Sequence, residues 1–175
     1  MEVRVAKDDH ADGVFDVFAF GSNLDLRDFV AWCRRERGMT PQIERRSWAW
    51  LRDYRFSWDY YSPVRRGGAA NINPAAGHSV AGVVFKVDTA TLAALDAKEG
   101  HPERYLRQKV TVECMDEPRG MREVWTYRVT PTYRTERPVK PTKAYIDIVL
   151  KGIAEQGLPA QWRAEVVSSV EAIEG

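Results

Sequence analysis

The stretch Val17-Phe18-Ala19-Phe20-Gly21-Ser22-Asn23-Leu24 is an apolar run that stops abruptly at Gly-Ser-Asn, and from Asp25 a helical pattern takes over. A strand that ends in a small-residue turn ahead of a helix leaves backbone N–H groups without partners. Gly21 can adopt a backbone conformation closed to other residues, Ser22 and Asn23 can hydrogen-bond their own neighbours, and Asp25 is suited to cap the helix that follows. Such a turn either merely joins strand to helix or also holds a carboxylate or an oxyanion above it. It is not a nucleophile elbow, because Phe20 and Leu24 stand where the G-x-S-x-G frame requires glycine.

Outward from this turn, Val14 to Phe20 reads as a buried first strand. From Asp25 to Arg37, Leu26, Phe29, Val30 and Cys33 recur at helical spacing, with Arg34, Arg35 and Arg37 near the end and Gly38 past it. Ser47 to Trp58 alternates aromatic and charged residues as a strand with one wet face does. Pro63 to Gly77 is rich in Gly, Pro, Asn and Ala and reads mostly as loop, with a short extended piece from Ala69 to Ile72. Val80 to Val87 is a further strand, and Asp88 and Thr89 are placed to cap a short helix carrying Leu92 and Leu95 that stops at Glu99-Gly100. Tyr105 to Cys114 and Arg122 to Val129 predict a hairpin across Asp116 to Gly120. Ala144 to Gln156, stopped by Gly157, predicts one closing helix, and Pro159 opens a second through Trp162, Val166, Val167 and Val170. Strands clustered in the middle, with helices after the first strand and at the end, give an α+β fold rather than a doubly wound sheet.

The chain has 175 residues, the size of one domain able to bury a core without metal or disulfides. Residues 1–12 read as a flexible N-terminal extension and 13–175 as the domain. With 26 basic and 25 acidic side chains, no global field argues for nucleic acid or an anionic membrane. No apolar run approaches the roughly 20 residues of a spanning helix, and the N-terminus does not resemble a signal peptide. Cys33 and Cys114 lie far apart, as do His10, His78 and His101, so neither a metal site nor a Ser-His-Asp triad has much to build on. A reduced, cytoplasmic setting follows.

Two other features carry candidate chemistry. Glu99, in Leu95-Asp96-Ala97-Lys98-Glu99-Gly100, is either a solvated glutamate at a helix end or a general base. Arg45 to Arg66 interleaves arginines with Trp48, Trp50, Tyr54, Trp58, Tyr60 and Tyr61. That pattern fits a strand pair with an aromatic core face, and less commonly a surface for single-stranded nucleic acid.

The order of these segments is more specific than any one of them. With Phe18-Ala19-Phe20-Gly21-Ser22-Asn23-Leu24, Gly67-Gly68-Ala69-Ala70-Asn71-Ile72, Val80-Ala81-Gly82-Val83-Val84-Phe85, Leu95-Asp96-Ala97-Lys98-Glu99-Gly100 and Tyr105 in sequence, the chain resembles the γ-glutamylcyclotransferase family (AIG2-like) from about Val14 to Pro159. Tyr145 and Gly152 to Pro159 look like that family's closing helix.

The resemblance implies a small mixed β-barrel flanked by helices. It also implies release of 5-oxoproline from a small-molecule γ-glutamyl compound without metal or cofactor, by attack of the substrate's own α-amine, in a monomer or homodimer that binds neither nucleic acid nor membrane. By motif match Glu99 is the general base. Val17, Phe18, Ala19, Phe20, Gly21, Ser22 and Asn23 form the substrate-binding turn, and Tyr105, Tyr127 and Tyr145 line or support the pocket, with Tyr145 closest to direct contact. Phe20 stands where the family's turn usually has Tyr. His101-Pro102-Glu103-Arg104 is individual to this chain and reads as a charged rim able to select leaving groups. Two other readings stay open on the same fold: a tailoring enzyme that removes a γ-glutamyl protecting group from an amine in a biosynthetic pathway, and a non-catalytic small-molecule-binding module.

Overall fold

The computed structural model describes residues 13–174. The expectation of a flexible extension over residues 1–12 lies outside them. Strand β1 (Val14–Ala19) alternates into the core and ends at a short 3-10 turn over Ser22–Leu24. Helix α1 (Leu26–Arg37) follows, capped by Asp25, whose carboxylate accepts from the N–H groups of Arg27 and Asp28, and closed by Gly38 in the left-handed conformation. Strands β2 (Ile43–Ser57), β3 (Tyr61–Ser62), β4 (Gly67–Gly68) and β5 (Asn71–Asp88) come next. Helix α2 (Thr89–Glu99) opens on Asp88, which accepts from Thr91 N–H, and closes on Gly100. Strands β6 (Tyr105–Cys114) and β7 (Gly120–Val129) form the expected hairpin, and helices α3 (Lys143–Glu155) and α4 (Ala160–Glu171) end the fold.

The five long strands close into a barrel in the order β1-β5-β2-β6-β7. Most neighbours are antiparallel; β7 returns to β1 in parallel, with Val17 opposite Trp125. The α+β class is as expected, with one correction. Residues 73–77, read as loop from their Pro and Gly content, belong to β5, which runs unbroken from Asn71 to Asp88. Pairing with β2 overrides the local breakers. Tyr54 to Ser57 pair with Asn71 to Pro74, and the irregularity falls at a bulge where Asp53 takes a positive φ and its carboxylate accepts from Gly77 N–H.

Trp48, Trp50, Phe56 and Trp58 of the β2 stretch meet Trp162 of α4 and Tyr145 of α3 in a run of edge-to-face contacts with centroids 5.1–6.3 Å apart. This packing fixes both closing helices on the barrel.

Candidate active site

The turn after β1 is held from outside the strand. Leu24 N–H and Asp25 N–H donate back to the carbonyls of Gly21 and Ser22 at 3.1 Å, which winds the tight turn. The N–H groups of Gly21, Ser22 and Asn23 take no partner in the hydrogen bonding of the described residues. They are the orphan donors of a helix start, and their residues line a pocket. Helix α3 clamps the turn from behind: a Cβ at Gly152 would lie 2.6 Å from Leu24 Cβ and 2.7 Å from Asp25 N, so only glycine allows this approach.

Glu99 reaches the same pocket from the last turn of α2. Its Oε1 accepts from Asn23 Nδ2 at 2.8 Å, joining residues 76 positions apart in the chain. Two residues of the motif that sequence reasoning left without roles support this end of the helix. Asp96 accepts from Tyr127 Oη at 2.6 Å and from Arg107 Nη1 at 2.9 Å. Lys98, whose side chain is 6% exposed, donates to Asn23 Oδ1 at 2.6 Å.

The tyrosines matched by the resemblance converge here, with different duties. Tyr105 Oη donates to Ala70 O at 2.7 Å, while Tyr145 Oη accepts from Ala70 N–H at 3.1 Å, so both backbone polar groups of one residue are held by two rings. Burial raises the hydroxyl of Tyr105 well above its ordinary value and pushes that of Tyr145 up to about 12, so both remain protonated at neutral pH. Burial raises that of Tyr127 too, reinforced by its bond to Asp96. Tyr105 and Tyr127 commit their protons to protein oxygens. Tyr145 accepts from the backbone and keeps its own proton for a ligand.

The segment carrying Ala70 is fixed by a buried polar network that sequence reasoning missed. Asp59 accepts from Ser57, Asn71, Asn73 and Arg134, and Asn71 in turn accepts from Val129 N–H. Burial alone would raise the Asp59 carboxyl, but the bonds from Asn71, Ser57, Arg134 and Asn73 outweigh it and hold the group below its ordinary value. Only Asn71, inside Gly67-Gly68-Ala69-Ala70-Asn71-Ile72, carried a signal in the sequence.

The pocket is a partly open, mostly apolar cleft beside the turn that ends β1. Val17, Phe18, Ala19, Phe20, Gly21, Ser22, Asn23, Glu99, Tyr105, Tyr127 and Tyr145 all line it, so the site residues matched by the resemblance arrive at one place. Phe20 is buried and packs edge-on against Phe56 at 6.4 Å. The pocket opens into an outer vestibule that shares Ser22, Glu99, Tyr105 and Tyr145 with it and adds Arg65 and Arg104. Arg65 pairs with Asp28 at 3.1 Å and lies over the Tyr145 ring. Arg104 is half-buried, folds back over Gly100 and shares the vestibule wall with Tyr60, and it has no carboxylate partner among the described residues.

The other candidates are used structurally. Arg45, Arg46, Arg52 and Arg65 form ion pairs with Asp116, Asp16, Glu113 and Asp28, and the tryptophans between them pack under α4. Cys33 and Cys114 are buried free thiols, and His101 accepts from Arg107 N–H. Among the described residues no group of three or more His, Cys, Asp or Glu side chains is placed to hold a metal ion, and no helix is long and apolar enough to cross a membrane.

Comparison with known proteins gives a consistent picture. Residues 17–147 match the family described as gamma-glutamyl cyclotransferase, AIG2-like. A bovine gamma-glutamylcyclotransferase is 29% identical over 163 residues, covering 88% of this chain and 78% of its own. A solved gamma-glutamyl cyclotransferase superposes with a TM-score of 0.73 at 25% identity, over 92% of this chain and 88% of that one. An uncharacterized human protein gives 0.72 at 25% identity, over 93% and 89%.

Proposed function

The chain belongs to the gamma-glutamyl cyclotransferase, AIG2-like family, and on that premise we propose that it releases 5-oxoproline and a free amine from a γ-glutamyl amide. The observation that carries this reading is the meeting of Glu99 with the Gly21 to Asn23 turn in one pocket, joined by the 2.8 Å bond from Asn23 to the carboxylate.

A γ-glutamyl amide carries its own nucleophile. Attack of the α-amine on the γ-carbonyl closes a five-membered ring, and folding the substrate into that geometry contributes about 7–11 kcal/mol relative to a bimolecular reaction. The protein must then supply a base for the α-ammonium, donors for the tetrahedral oxyanion and an acid for the leaving nitrogen. Glu99 takes the proton and returns it to the departing amine. The free N–H groups of Gly21, Ser22 and Asn23 hold the oxyanion or the α-carboxylate, and one oxyanion donor is worth about 2.7–4 kcal/mol. Tyr145 adds a neutral hydroxyl on the same side. The apolar lining from Phe18, Leu26 and Phe85 excludes water from the closing ring.

With the glutamyl portion inside, the leaving group projects into the vestibule beside Arg104. Its guanidinium, which pairs with no carboxylate among the described residues, favours leaving groups that carry a carboxylate over plain amines. The test is to incubate the purified protein with γ-glutamyl amino acids, γ-glutamyl amines and glutathione and to follow 5-oxoproline by mass spectrometry. Product from at least one member is expected; saturable binding of these compounds with no product from any would favour a binding module instead.

A further inference from the structure

Asn23 is the only link between the Gly21 to Asn23 turn and Glu99 found in the described hydrogen bonds, and its usefulness depends on which way its amide faces. An asparagine amide has two ends of nearly the same shape, and its orientation is set by what surrounds it. Here one end meets an ammonium and the other a carboxylate. Lys98 Nζ is donor-only and lies 2.6 Å from Asn23 Oδ1, so the amide oxygen must face it and the NH₂ must face Glu99. In the flipped orientation NH₂ would meet ammonium and oxygen would meet carboxylate, and both contacts would repel.

Lys98 is itself held in place. Its side chain is 6% exposed and lies over the Phe29 ring at 5.7 Å; its Nζ is 3.4 Å from Ser22 Oγ and 3.7 Å from Asp28. Asp28 is anchored by Arg65. A buried lysine is costly unless it is paired, and a lysine in the last turn of a helix is usually left in water. In Leu-Asp-x-x-Glu-Gly it occupies a position to which the motif assigns no residue.

We propose that Lys98 is a positioning residue for the cyclisation: through Asn23 it fixes the Glu99 carboxylate at the pocket mouth, with Oε1 occupied and Oε2 left for the substrate's proton. The proposal rests on Glu99 as the base. It requires that Lys98 act through Asn23 and not on its own.

A double-mutant cycle on the full chain tests this, using whichever γ-glutamyl compound the wild type turns over fastest. Lys98→Met is expected to lower kcat by about 10- to 100-fold with KM little changed, the size of a small misplacement of a reacting group. Lys98→Gln, which can still donate to Asn23 Oδ1, restores most of that loss. In an Asn23→Ala background Lys98→Met costs less than about threefold. Equal losses in the two backgrounds would overturn the proposal, as would a loss confined to KM. Glu99→Gln measured alongside separates the two readings: if it keeps full turnover the base assignment fails, and if it is inactive while the cycle is additive only the relay fails.

A substrate-free readout stands beside the kinetics. The Asn23 side-chain amide protons, assigned by NMR as the pair missing in Asn23→Ala, are expected to exchange about tenfold faster in Lys98→Met than in wild type. Unchanged exchange would also overturn the proposal.

Discussion

The Tyr145 hydroxyl has a structural duty separable from any contact with substrate. It is the acceptor for Ala70 N–H in a fully buried setting. Tyr145→Phe keeps the ring packed on Trp58 but leaves that N–H without a partner, which costs about 1–3 kcal/mol. Urea unfolding is expected to register that loss, and activity should fall as the Ala70 peptide and the adjoining turn lose their anchor. An unchanged unfolding midpoint would show that the bond is dispensable. Single-residue features differ in how far the sequence reveals them. The caps Asp25 and Asp88 are legible because a cap bonds within three residues of itself. Lys98 is not: one turn of helix looks the same whether its lysine reaches water or the amide of a residue 75 positions away.

At the scale of elements, the site depends on how α3 and β5 are pinned. Gly152→Ala gains about 1 kcal/mol of helix propensity. Against this, the new methyl would meet Leu24 and Asp25 inside 3 Å, two of the three atoms being backbone that cannot rotate away. Overpacking of this kind costs about 1–3 kcal/mol, so the net effect is destabilising, and it displaces the Gly21 to Asn23 turn. Turnover is therefore expected to fall more than stability does, and a variant with wild-type turnover would contradict the clamp.

The Asp59 network holds the start of β5. Its folded-state value lies below the ordinary aspartate value of about 3.9, so its stabilisation is fully present above that pH and is lost as pH falls through the depressed folded value. Asp59→Asn should lose about 3 kcal/mol at neutral pH and show a flatter decline in acid, measured by urea unfolding between pH 7 and pH 3. Parallel acid profiles would count against it. Residues 73–77 look like loop because Pro74 and Gly77 are local signals, whereas the partner strand that absorbs them lies about 20 residues upstream.

For the whole molecule, closing the barrel brings three sequence-distant segments to one mouth: the β1 turn, the end of α2 and the start of α3. The parallel return of β7 onto β1 leaves no trace in composition or periodicity, so barrel closure came from family resemblance and the α+β class from the pattern itself. The vestibule is the part least legible in the sequence, since Arg104 is one charged residue in a charged loop until Glu99 and Tyr60 are set around it. Arg104→Ala is expected to raise KM for γ-glutamyl amino acids about tenfold or more while leaving γ-glutamyl amines within about twofold, the loss of one charge-assisted contact. Equal effects on both classes would remove Arg104 from leaving-group selection.

Glu99 as the proton carrier is tested most directly by comparing 5-oxoproline formation by the wild type and Glu99→Gln at saturating substrate. The expected outcome is a kcat lower by about 10²- to 10⁴-fold, with an unfolding midpoint close to wild type because glutamine preserves the side chain's shape and can still accept from Asn23. A Glu99→Gln protein that folds and still releases 5-oxoproline at the wild-type rate would contradict it.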